Sequence, residues 1–302
     1  MRDTPSSRSA RHGPRGYRIH AGARALVGLL ILPSILRGAE EAPPLHWETN
    51  WRTAFEHARS ERRLVFVDYW APWCPPCMEM EQRTFPDPRV AELLQNFVLL
   101  KLNVDTRGQI PRAPGISSPG MALPMYRFFD PGEVERLHIL GFRAPDVFAR
   151  QLSLVAANAS TIVSLAASLK ERESAQAHFE LGQVYLETHA ATFARDELDA
   201  AAKLARRNGD AALEQTAQIQ AALTWLLDGT PAKGVKSLER IAKSPANPDC
   251  AVRAWMAIGQ LRAADKDSMG AIDAYRRALS ACPETSPLRH EVEVALADLE
   301  KH

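Results

Sequence analysis

Residues 64–77 read LVFVDYWAPWCPPC, an apolar run that ends in two closely spaced cysteines. The unbroken apolar part predicts a strand buried on both faces of a sheet. The cysteines follow where this strand would stop and a helix would begin. Pro75 and Pro76 suit a first helical turn, because the N–H groups of that turn have no intrahelical partner.

The spacing of the two cysteines predicts a redox-active pair. Helical geometry places Cys77 one turn after Cys74, close enough for a disulfide. Cys74 would lie at the positive end of the helix dipole, where unpaired N–H groups stabilise a thiolate. We therefore predict that Cys74 is the exposed, attacking sulfur and that Cys77, one turn deeper, resolves the mixed disulfide.

Half of a structural zinc site is the alternative interpretation of the cysteine pair. Zinc needs four ligands, and the other cysteines, Cys250 and Cys282, are distant in sequence and not closely spaced. The histidines are scattered, and the sequence has no glycine-rich phosphate loop or nucleotide fingerprint. We expect neither a metal nor another cofactor.

Residues 45–155 resemble the thioredoxin superfamily at four landmarks in the correct order. These landmarks are VDxWAxWCxPC from Val67, LLKLNVD from Leu99, Leu123-Pro124 with FFDPGE from Phe128, and Gly141-Phe142. Gly141-Phe142 and TFxDPxV from Thr84 most resemble the periplasmic C-terminal domain of the membrane thiol–disulfide interchange reductases. The resemblance implies an α/β thioredoxin-like domain, a central mixed sheet flanked by helices.

The same resemblance implies roles for two ionisable residues. Asp68 lies inside the buried strand, where an unpaired charge is costly. By resemblance it is a proton acceptor with a raised pKa that helps to deprotonate Cys77, and Lys101 modulates it. The alternative for Asp68 is a core residue whose hydrogen bonds are satisfied.

Three further residues are predicted beside the dithiol. The resemblance implies that Pro124 is cis and that the Leu123-Pro124 segment offers a backbone edge to an extended substrate. Trp73 would flank the sulfurs and limit access, or simply pack. The stretch between Asp105 and Pro124 either shapes what docks at the dithiol or is a surface loop.

The N-terminus predicts export. Residues 1–24 contain six arginines and one acidic residue, and an apolar run of twelve residues, 25–36, follows. That run is shorter than the roughly 20 residues that span a bilayer, and it fits a secretory signal. We predict that residues 1–39 are a signal peptide and that the protein is periplasmic or otherwise exported. The alternative is an uncleaved anchor, which would bring membrane contact.

Beyond residues 40–157, the predicted thioredoxin-like domain, the sequence becomes rich in alanine. Helix–turn–helix patterns recur from Leu181, from Ala221 and from Trp255, and they resemble the tetratricopeptide repeat. We predict that residues 158–302 form a helical repeat domain that binds a peptide or protein. A cap that stabilises or dimerises the catalytic half is the alternative.

Cys250 and Cys282 would stand at neighbouring ends of one antiparallel helix pair. In an oxidising compartment this predicts a structural disulfide between them. The alternative is two buried thiols, since free cysteine packs as a small hydrophobic residue.

These observations favour an exported thiol–disulfide oxidoreductase that reduces protein disulfides and receives electrons from a redox donor protein. The net charge of +1 gives no indication of nucleic-acid binding. The alternative function is a repeat-based adaptor or chaperone-like binding protein with a regulatory dithiol.

Overall fold

A computed structural model of the 302-residue chain describes residues 44–106 and 122–301. The predicted signal segment, residues 1–39, and most of the loop before Pro124 lie outside the described residues.

Five strands form one mixed sheet in the order β1-β3-β2-β4-β5. Strands β1 and β2 both run parallel to β3, whereas β4 runs antiparallel to β2 and β5. This is the mixed sheet that the sequence predicted. The strands are β1 Trp47–Glu48, β2 Val65–Trp70, β3 Val98–Asn103, β4 Met125–Phe129 and β5 Glu135–Leu140.

Helices cover both faces of this sheet. The first four are α1 Trp51–Glu61, α2 Pro75–Glu79, α3 Pro88–Leu94 and α4 Pro145–Glu171, and a π-helical turn, Met80–Thr84, continues α2. Side chains alternate along a strand, so β2 contributes to two apolar layers. Val65, Val67 and Tyr69 pack with α1, whereas Phe66 packs with α3 and α4.

The rest of the described chain is helical. The helices are α5 Ala175–Glu187, α6 Ala191–Arg207, α7 Ala211–Leu227, α8 Ala232–Lys243, α9 Pro248–Ala264, α10 Ser268–Ala281 and α11 Leu288–Glu300. Small residues stand where paired helices meet, because a larger side chain would collide. A Cβ on Gly259, for example, would lie 2.6 Å from the ring of Tyr275. This region is consistent with the predicted helical repeats.

Helix α4 joins the sheet to the helical region. Its 27 residues run without a break across the predicted boundary at residues 157 and 158. By length and composition α4 could also cross a membrane. However, its residues Phe148, Leu152 and Ile162 are fully buried in one apolar cluster with Leu181 and Tyr185 of α5. The hydrophobic core therefore continues from the sheet into the helical region.

The structure does not contain the predicted Cys250–Cys282 disulfide, because both residues are buried free cysteines. The sulfur of Cys250 faces α7 and lies 3.9 Å from the carbonyl oxygen of Ala212. Cys282 instead packs with Tyr275 and with Leu288 of α11. Antiparallel pairing does bring the two helix ends together, but the two side chains face different neighbours.

We expect both thiols to be alkylated when the oxidised protein is denatured in iodoacetamide without reductant. Cys74 and Cys77, which are joined in the structure, should stay unlabelled and serve as the internal control. Mass mapping of the peptides checks this expectation. A linked pair of peptides containing Cys250 and Cys282 would contradict the structure.

Candidate active site

The paired cysteines lie where β2 gives way to α2. Cys74 caps the helix, and its sulfur accepts a hydrogen bond from the N–H of Cys77 at 3.2 Å. The two residues form a disulfide with a Cα–Cα distance of 5.3 Å. Pro75 and Pro76 occupy the first helical turn, as the sequence predicted.

The expected exposure of Cys74 is not observed in this disulfide form. Cys74 and Cys77 are each only 3% exposed. Trp70, Val104 and Leu123 pack against the pair and cover it with apolar side chains. Helical position alone predicted an open sulfur, but Trp70 at the end of β2, Val104 just after β3 and Leu123 pack against the pair.

Asp68 is a buried carboxyl on the central strand β2, six residues before Cys74. Its side chain is 3% exposed, and Lys101 Nζ lies 4.0 Å from its Oδ2. Burial raises the pKa of Asp68 to about 7, from an ordinary value of 3.8. Lys101 opposes this rise and Glu81 adds to it. The carboxyl can therefore gain or lose a proton near neutral pH.

Glu81 is a residue of this site that sequence patterns did not single out. It lies on the π-helical turn, and its carboxylate bonds to Lys101, which is thereby shared between two carboxyl groups. Lys101 Nζ also stands 5.0 Å from the ring centroid of Trp70. Spacing could have indicated Glu81, because this residue follows Cys77 by four positions, or about one helical turn, and so lies on the same helix face.

The substrate-side residues predicted from the sequence also lie around the pair. The Leu123-Pro124 peptide is cis, and the carbonyl of Pro124 accepts a hydrogen bond from the N–H of Gly141 at 2.8 Å. Trp73 is 62% exposed, and its indole N–H donates to Asp105 Oδ2 at 2.7 Å. Asp105 is the second residue that sequence patterns did not single out. Within the described residues, no cluster of three or more His, Cys, Asp or Glu side chains is arranged to hold a metal ion.

Comparison with known proteins assigns this region to a fold family. Residues 46–131 match the family described as thioredoxin-like. Curated relatives named thiol:disulfide interchange protein DsbD come from Haemophilus influenzae (strain 86-028NP), Salmonella typhi and Ralstonia nicotianae. They are 32, 33 and 34% identical to this chain over 97, 97 and 100 residues. The matches cover 32, 32 and 33% of this chain but 17, 17 and 16% of the relatives, so the chain spans less than a fifth of their length.

Two solved structures are also similar to this chain. A thioredoxin from Thermus thermophilus is 28% identical with a TM-score of 0.33, and the match covers 38% of this chain and 88% of that one. A DsbH oxidoreductase is 16% identical with a TM-score of 0.30, covering 39% and 85%. Together, the family match and the observed sheet show that the first part of the described chain is a thioredoxin-like domain.

We expect Asp68→Asn to stabilise the oxidised protein above pH 7. The folded pKa of Asp68 lies above its unfolded value, so folding binds a proton and stability falls as pH rises from about 4 to about 7. The asparagine variant does not lose this stability, so the two free energies of unfolding should diverge by about 4 kcal/mol. Urea unfolding from pH 4 to 8 measures both free energies. Parallel stability curves for the variant and the unaltered protein would contradict the assignment.

We expect Glu81→Gln to lower the pKa of Asp68. The substitution removes a nearby negative charge and frees Lys101 to interact with Asp68 alone. Titration of the Asp68 carboxyl by carbon NMR measures the change. Glu79→Gln is the matched control, because Glu79 bonds to the exposed Arg83. An unchanged or higher pKa in Glu81→Gln would contradict this account.

Proposed function

We propose that this thioredoxin-like domain is an exported thiol–disulfide oxidoreductase that reduces protein disulfides through Cys74 and Cys77. The observation that carries the proposal is the Cys74–Cys77 disulfide at the end of a central strand that also bears the buried Asp68. In its reduced form this cysteine pair can supply two electrons, and a carboxyl with a pKa of about 7 can accept a proton.

The reaction begins with both cysteines reduced. The Cys74 thiolate attacks one sulfur of the client disulfide, forms a mixed disulfide and releases the first client thiolate. The Cys77 thiolate then attacks the Cys74 sulfur, releases the second client sulfur as a thiolate and leaves the disulfide seen in the structure. Two electrons pass to the client, and a dithiol donor protein restores the reduced pair.

Asp68 serves the second step. Cys77 must lose its proton before it can attack, and a carboxyl that titrates near neutral pH can accept that proton. Lys101 stabilises the ionised carboxylate across 4.0 Å. Asp68→Asn should therefore slow release of the client while leaving the first attack intact.

The reductive direction and the exported location rest on separate support. The direction is supported by the resemblance of Gly141-Phe142 and of TFxDPxV from Thr84 to the interchange reductases. The relatives named above are interchange proteins, which supports exchange with other protein disulfides. The arginine-rich start and the apolar run 25–36 support export, with membrane contact if that segment stays uncleaved.

We also propose that the helical region holds a peptide or protein client. A cavity of about 340 Å³ lies between the first helices of successive pairs, α5, α7 and α9. Amide, hydroxyl and charged side chains there can hydrogen-bond a peptide backbone. They include Gln183, Thr216, Gln220, Asn247 and Arg253. The same cavity favours the second candidate function, a repeat-based adaptor in which the dithiol is regulatory.

Insulin reduction driven by dithiothreitol tests the enzyme. We expect the unaltered protein to accelerate precipitation of the insulin B chain and Cys74→Ser to act no faster than dithiothreitol alone. The attacking sulfur is missing from that variant, whereas Cys282→Ser, which removes a remote buried thiol, should keep full activity. Equal rates for the unaltered protein and Cys74→Ser would contradict the enzyme and favour the adaptor.

A second experiment identifies partners. Cys77→Ala cannot resolve the mixed disulfide, so client and donor proteins should remain bound to Cys74 through a reducible bond. Mass spectrometry of these adducts would name them. Partners retained equally by Cys74→Ser would be held by the helical region rather than by the sulfur.

A further inference from the structure

Arg143 lies between the end of β5 and the π-helical turn that follows the dithiol helix α2. Its backbone N–H points at the sulfur of Met80, three residues after Cys77, at 3.5 Å. Its carbonyl accepts a hydrogen bond of 2.9 Å from the hydroxyl of Thr84 at the end of the same turn. The backbone of this partly exposed arginine is therefore fixed to the segment that carries Cys77.

The guanidinium group of Arg143 lies close to the cis-proline segment. Its Nη1 donates to the carbonyl of Phe142 at 2.9 Å, and a Cβ built on Gly141 would lie 3.6 Å from the same nitrogen. The N–H of Gly141 in turn donates to the carbonyl of Pro124 at 2.8 Å. The positive charge is thus held beside the residue that pairs with the cis-proline.

Within residues 44–106 and 122–301, no carboxylate lies within ion-pair distance of Arg143. Glu81, the acidic residue on the neighbouring turn, bonds to Lys101 instead. Asp146, in the first turn of α4, bonds to Arg150 at 3.1 Å. A guanidinium has five N–H donors, and the hydrogen bond to Phe142 uses one of them. The group therefore keeps the capacity to bind an anion from another molecule.

We propose that Arg143 is a specificity-determining residue that binds a carboxylate of the client next to the disulfide to be reduced. This inference rests on the proposed function and adds a substrate class, clients with Asp or Glu beside the reacting cysteine. A client placed along Leu123-Pro124 would pass close to this guanidinium. The planar guanidinium can bind a carboxylate through two parallel hydrogen bonds. Because the side chain is already oriented, it loses less entropy on binding.

The test compares two synthetic peptides, each closed by one intramolecular disulfide. They are identical except that the residues flanking the cysteines are Glu in one and Gln in the other. The full chain is reduced and freed of reductant, and the second-order rate constant for reduction of each peptide is measured by acid quench and chromatography. We expect the ratio of the Glu to the Gln rate constant to fall about threefold to tenfold in Arg143→Gln.

Two further variants separate recognition from folding and from net charge. Arg143→Lys keeps a positive charge at the same place and should recover part of the ratio, which a purely structural defect would not allow. Arg150→Gln removes a positive charge from an exposed position further along α4 and should leave the ratio unchanged.

NMR gives a readout that does not depend on turnover. The Nε–H signal of Arg143 is assigned by its loss in Arg143→Gln. We expect this signal to shift on titration with a Glu peptide in which serine replaces both cysteines, and to shift much less with the matching Gln peptide.

The outcomes separate the two proposals. Equal ratios in the unaltered protein and Arg143→Gln would overturn the carboxylate site. So would an equal fall in Arg150→Gln, because the effect would then come from net charge. Failure of the unaltered protein to reduce either peptide or insulin would overturn the proposed function instead. In that case the NMR titration decides the carboxylate site, and equal shifts with both peptides, or none, would overturn it as well.

Discussion

Burial of β2 on both faces is the constraint on which the thioredoxin-like domain depends. Val65, Val67 and Tyr69 pack into one apolar layer and Phe66 into the other. A slip of one residue in the pairing of β2 would exchange the two sets and would drive Asp68 into the layer beneath α1. Packing on both faces therefore strongly specifies the register of β2. Since β2 ends at Trp70, Cys74 and Cys77 follow at the carboxyl end of this central strand.

The same burial raises the free-energy cost of ionising Asp68, and this cost is also what makes the carboxyl useful as a proton acceptor. A fully ionised carboxylate in this position would need a complete counter-charge. Lys101 provides a partial one, because its ammonium group is shared with Glu81. As a result, the pKa of the Asp68 carboxyl is close to 7, and its charged and neutral forms are both populated at neutral pH. A closer, unshared Lys101 would stabilise the charge and make the carboxyl a poorer proton acceptor.

Features that depend on a short stretch of sequence could be predicted, whereas features that depend on the orientation of a side chain could not. The apolar run into Cys74 and the Leu123-Pro124 segment are local, and both lie where the sequence placed them. The bond from Trp73 to Asp105 joins residues 32 positions apart, which no short pattern reports. The error over Cys250 has the same origin, since helix pairing predicts which ends meet but not which face of each helix carries the sulfur.

The attachment of the helical region restricts how it can cooperate with the dithiol. The ring of Phe193 on α6 packs 5.4 Å from that of His138 on β5. His138 pairs with Arg127, which pairs with Val67 in the middle of β2, whereas Cys74 follows the end of β2. Helix α4, about 40 Å long at 1.5 Å per residue, runs from the dithiol end into the helical region. The helical region therefore contacts the sheet at β5 and is joined to it by α4.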